Sequence, residues 1–204
     1  MAEIVDFLVG YGIVETNLKP GVRTVSEYMQ SVKEWVRSFR GDVEVVKSVV
    51  SSSGVDKNAR KFAASALNYL VTRLDLVPDW NPTIGLIDDV MVLRVCLRLA
   101  NAYSMSGHLD EDVRGRVEQL IDDVDIIETF LGDELYGKLR KYCARLSETT
   151  VRGRSPETIV ADQNIRQTLF DEIGDDILRM PPASFENPDD VAIRFTSYLH
   201  HKLA

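Results

Sequence analysis

The stretch that decides the fold is Lys57–Leu74, "KNARKFAASALNYLVTRL". Its apolar residues Ala59, Phe62, Ala63, Ala66, Leu67, Leu70, Val71 and Leu74 recur at the i, i+3, i+4, i+7 spacing of a single helix face. Small alanines in that stripe let a neighbouring helix approach closely. The same period continues outward in both directions. Upstream, Thr24 and Glu27 fit a capping box for a helix carrying Tyr28, Met29, Val32, Trp35, Val36 and Phe39. Gly41-Asp42 then reads as a separator before a shorter apolar segment ending near Val50, and "SSSG" at Ser51–Gly54 as a turn. Downstream, Val113, Val117, Leu120, Ile121, Val124, Ile127 and Leu131 form another stripe, and Leu135, Leu139, Tyr142, Cys143 and Leu146 a further one beyond Gly132. Ser155 and Pro156 suit the start of a helix running toward Met180. Asn187, Pro188, Asp189 and Asp190 suit the start of a last one bearing Val191, Phe195, Tyr198 and Leu199. No run of alternating β-branched residues competes. The expected fold is all-α: a single compact helical domain over residues 1–204, with six to eight helices around a proline-braced helical hairpin at residues 57–104.

Bulk properties narrow the function classes. With 204 residues, 45% of them hydrophobic, the chain builds a sizeable core without staples. Cys96 and Cys143 lie within apolar helical patterns and lack CxxC spacing, so they read as reduced core residues of a cytoplasmic protein. Glu3 and Asp6 stand where a signal peptide carries positive charge. No segment reaches the roughly 18 uninterrupted apolar residues of a membrane span; Arg73, Asp75 and Asp79, then Asp88, Asp89, Arg94 and Arg98, interrupt the two best candidates. A net charge of −8 argues against nucleic acid as a partner. Met105–Leu135 holds ten acids, whereas Lys138, Arg140, Lys141, Arg145, Arg152 and Arg154 follow with Glu148 as the one acid among them. A turn at Gly132 that laid one helix beside the other would let these charges offset each other. Otherwise the basic cluster would suit an anionic partner such as phospholipid headgroups or a phosphorylated protein.

The residues from Asp75 to Asp89 form the most unusual part of the chain. Asp75 stands at the expected end of the alanine-striped helix, where a carboxylate meets the negative end of the dipole and needs a donor. Pro78 and Pro82 force the residues before them out of the helical region, which stiffens the connection. Gly85 suits an unusual backbone conformation or a close approach. Asp88 and Asp89 fall in or just after the first turn of the next helix. Asp75 or Asp79 is therefore expected to accept hydrogen bonds from N–H groups near Gly85–Asp88, with Asp88 a lesser contributor that complements the dipole. "LIDDV" recurs at Leu120–Val124, but that copy lacks the preceding prolines and glycine, so it does not read as an internal repeat.

The order Leu74, Asp75, Leu76, Val77, Pro78, Asp79, then Pro82, Gly85, Asp88 and Asp89, resembles the signature of the YkvA-like family (domain of unknown function 1232), over about residues 62–99. The resemblance implies a helical hairpin and transfers no catalytic residue, because the family has no assigned activity. Many members carry an almost wholly apolar hairpin that looks membrane-associated, and Arg73, Arg94 and Arg98 depart from that pattern here.

Two functional readings follow. In the first, the protein is a noncatalytic scaffold or adaptor without a cofactor. Its rigid hairpin supports or presents Trp80 and neighbouring apolar residues to a protein partner or, peripherally, to a membrane surface. In the second, Asp75, Asp79, Asp88 and Asp89 hold Mg²⁺ in a phosphoester-acting enzyme. The motif contains no histidine or cation to act as an acid, and His108, His200 and His201 sit at expected helix ends as structural residues. The first reading is preferred, and no catalytic residue is assigned.

Overall fold

The computed structural model describes residues 23–72, 76–77, 82–105, 109–180, 183 and 185–204, and at 82–83 the backbone only. Among these residues it is all-α, with seven helices: α1 Val25–Ser51, α2 Lys57–Tyr69, α3 Pro82–Ala100, α4 Glu111–Leu146, α5 Pro156–Ala161, α6 Gln163–Arg179 and α7 Pro188–Lys202. α3 is the central element, packed by α1, α2, α4 and α7. From Val90 to Leu97 every one of its residues is buried, so the helix is enclosed on all sides rather than along one stripe. α2 packs on α1 and α3 with Ala59, Ala63, Ala66 and Leu67 fully buried, which is the close approach that its alanines permit. α5 and α6 lie on the α2 side, and α7 closes the α1, α3 and α4 side through Phe195 and Leu199.

Local caps explain most helix starts. Thr24 accepts a hydrogen bond from the Glu27 N–H, and the Glu27 carboxylate returns one from the Thr24 N–H at 2.6 Å, closing the capping box. Asp56 caps α2 through the Asn58 and Ala59 N–H groups, and Asn187 caps α7 through that of Asp190.

Three boundaries differ from the sequence reading. α1 runs unbroken through Gly41-Asp42, since Asp42 turns inward to the buried Arg94 and the half-buried Arg116 rather than punctuating the chain. α2 ends at Tyr69 although the apolar period continues to Leu74, because the following backbone turns back to bond the Tyr69 hydroxyl. Ser155 and Pro156 open only the short α5. Asp162 is extended (φ −114°, ψ 120°) and its carboxylate caps a separate helix, α6. Gly132 does break α4, at φ 71° and ψ 164°, a region open to glycine. Among the described residues the acidic and basic stretches meet only at Glu134 and Lys138, one turn apart; Asp123 and Asp125 instead pair with Arg94 and Arg98 of α3, and Arg152 and Arg154 with Glu172 of α6.

Candidate functional site

The motif region is built where the end of α2 faces the start of α3. Tyr69 is the last residue of α2 and is only 1% exposed. A phenol there needs partners. It donates to Asp88 Oδ2 of α3 and accepts the Leu76 N–H at 2.9 Å. The Val77 N–H reaches the same Asp88 oxygen at 3.4 Å. One carboxylate and one phenol thus bind Leu76 and Val77 of the connection, whose side chains are themselves buried.

Asp88 lies a full turn inside α3 and is 1% exposed, so it is not a solvent-facing complement to the helix dipole. Its carboxylate accepts from the loop backbone, while the expected bonds to Asp75 or Asp79 fall outside the described residues. Pro82 opens α3, as its fixed φ and missing N–H favour. Gly85 has helical backbone in the first turn; positive φ among the described residues falls on Gly132, Arg152 and Gly153. Asp89 is half-buried beside Asp88. Asp75, Pro78, Asp79 and Trp80 lie outside the described residues, as does His108. The copy of "LIDDV" in α4 has another environment altogether, with Asp122 exposed and Asp123 turned to Arg94, so the two copies are not equivalent.

A second polar cluster lies deeper, between α1, α3 and α4. Arg94 is fully buried and donates Nη2 to Asp42 Oδ2 at 3.1 Å, Nε to Asp123 Oδ2 at 2.9 Å and Nη1 to the Val90 carbonyl at 3.0 Å. Its guanidinium carbon stands 4.6 Å from the centre of the Trp35 ring. Arg116 of α4 grips the other Asp42 oxygen through Nε and Nη2 at 2.8 and 2.6 Å, and Ser38 completes the set. Burial pulls the Arg94 guanidinium below its ordinary value, and Asp123 and then Asp42 oppose that pull. The sequence reading took Arg94 only as an interruption of an apolar run. The overlooked signal is that a charge enclosed by "VMVL" and "VCL" must have carboxylate partners elsewhere in the chain.

Cys96 of α3 and Cys143 of α4 are both buried and free. Burial, and then the neighbouring Cys96, push the Cys143 thiol well above its usual range. Elsewhere, Arg40 and Glu44 of α1 and Phe170, Asp171, Gly174, Asp175, Ile177 and Leu178 of α6 line an open groove of about 380 Å³. Leu178 is 69% exposed there. No described helix is long and apolar enough to cross a membrane.

No curated protein and no solved structure matches the chain. Residues 59–94 match the model of a family described as a protein of unknown function (DUF1232), so the hairpin resemblance is shown for that segment of the chain.

Proposed function

We propose that this protein is a noncatalytic, cytoplasmic helical scaffold or adaptor, in which the Asp/Pro-rich hairpin is a rigid support for a protein-binding surface. The observation that carries this reading is the buried Asp88 carboxylate, which takes its hydrogen bonds from Tyr69 and Val77 of the same chain. A carboxylate engaged by a phenol and a main-chain N–H holds two helices and their connection together; it is an internal fastening. Trp80 of the connection and Leu178 of α6 are the residues offered to a partner, the first from its place in the sequence and the second from its exposure.

The test is capture of partners by the tagged full-length chain from its native cell, comparing wild type with Trp80→Ala and Leu178→Glu. One dominant protein, retained by wild type and depleted by either variant, is the expected result. In parallel, Mg²⁺ or Mn²⁺ should leave the melting temperature unchanged, since a ligand raises it only by binding the native state. A melt that rises with cation concentration, in a way abolished by Asp75→Asn or Asp89→Asn, would overturn the scaffold reading in favour of a metal-dependent phosphoester enzyme.

A further inference from the structure

Arg60 of α2 and Arg166 of α6 converge on one main-chain oxygen. Arg60 Nη2 donates to the Val160 carbonyl at 3.4 Å and its Nε to the Val50 carbonyl at 2.9 Å. Arg166 Nη1 donates to the same Val160 carbonyl at 3.1 Å and to that of Ile159 at 3.3 Å. These carbonyls belong to the last turns of α1 and α5, where helix geometry leaves C=O groups without partners, so both arginines serve as caps. Capping leaves most of the N–H groups of each guanidinium unengaged.

What capping does not supply is a counter-charge. Among the described residues neither arginine forms an ion pair. Asp56 and Asp162, each four residues before one of them, direct an oxygen to main-chain N–H groups as helix caps and do not reach the guanidinium groups, whereas Glu157 is held by Lys57 and Lys61, and Glu172 by Arg152 and Arg154. Two half-buried cations that share an acceptor repel each other, and they do so more strongly than in open water. Burial and then the charge of Arg166 draw Arg60 below its ordinary value, as that repulsion requires.

We propose that Arg60 and Arg166 form a binding site for a phosphate group. The fork of a guanidinium matches the oxygens of a phosphate, and the paired positive charges match the charge of about −1.5 to −2 on a phosphate monoester at neutral pH. A bridging dianion relieves the repulsion while the carbonyl bonds keep both side chains in place. Along α2, Arg60 is removed from Tyr69 by about 13 Å of helix rise, so this site is separate from the hairpin fastening.

The experiment is a titration of the full-length protein with inorganic phosphate, and separately with phenyl phosphate, against sodium chloride and acetate at matched ionic strength. It is read by ³¹P NMR below the melting temperature and by thermal melts. Saturable phosphate binding with a rise in melting temperature is expected. Affinity should fall at least tenfold in Arg60→Gln and Arg166→Gln and be unchanged in Arg37→Gln, an exposed control on α1. Arg166→Lys, which keeps the charge but not the fork, should fold if the glutamine variants do not and should still bind more weakly than wild type. Tighter binding of phenyl phosphate assigns the site to a phosphate ester, and equal binding to free phosphate. Absence of saturation, an equal effect of acetate, or binding undiminished in every arginine variant would overturn the proposal.

Discussion

Removal of the Asp42 carboxylate is the sharpest perturbation available in the core. Asp42 is 1% exposed, and its two oxygens serve the fully buried Arg94, the partly exposed Arg116 and Ser38. In Asp42→Ala, Arg94 keeps Asp123 and the Val90 carbonyl but loses the carboxylate that shares its burial, and Ser38 loses an acceptor. Breaking a buried pair from one side strands the other charge, at a cost of about 3–5 kcal/mol. For a chain of this length each kcal/mol moves the melting temperature by roughly 2–4 °C, so a drop on the order of 6–20 °C is expected. Urea unfolding followed by far-ultraviolet circular dichroism measures the free energy directly, and an unchanged m-value shows that the native state, rather than the unfolded ensemble, has changed. Asp42→Asn, which retains an acceptor without the charge, should fall between Asp42→Ala and wild type. By contrast, Arg179→Ala, which breaks exposed pairs on α6, should leave the transition in place. If Asp42→Ala cost less than about 1 kcal/mol, the range of exposed ion pairs, the buried network would not be a determinant of the fold.

Three further outcomes are expected. Tyr69→Phe removes the phenol that joins the Leu76 N–H to Asp88, leaving a buried donor without its acceptor, and should cost about 1–3 kcal/mol in the same urea assay. Gly132→Ala should destabilise by about 1–3 kcal/mol, because φ 71° with ψ 164° excludes a Cβ. Gly137→Ala, in a helical stretch with open space around the added atom, should stabilise by about 0.5–1 kcal/mol; equal effects of the two substitutions would refute the backbone argument. The hydrogen bond from Arg154 is the largest influence on the Glu172 carboxyl; burial opposes it, and the Arg154 charge and Arg152 add to it, so the carboxyl lies below its usual value. A lowered folded-state value means that this stabilisation is present above the unfolded carboxylate value and is lost as pH falls through the folded one. Glu172→Gln should therefore be less stable than wild type at pH 7 and approach it in acid, and a difference independent of pH would contradict the pairing.

What the sequence by itself determined was local in origin. The stripe from Ala59 to Val71, the Thr24–Glu27 box and the Asn187-Pro188 start are legible because apolar period and capping act within a turn or two of the chain. The all-α class follows from them without knowledge of any contact. Tertiary structure decided where local signals compete with distant ones. Gly41-Asp42 carries a separator's composition, yet α1 continues through it because Asp42 meets Arg94 and Arg116, 52 and 74 residues away. Tyr69 ends α2 before the apolar period does, because its hydroxyl is taken by Leu76 and by Asp88 on the facing helix. Periodicity shows which face of a helix avoids water, but it does not show which other helix will cover that face. The partner of a buried charge is set by how the helices pack, so the Asp88 and Arg94 clusters exist as arrangements only once α1, α2, α3 and α4 are brought together.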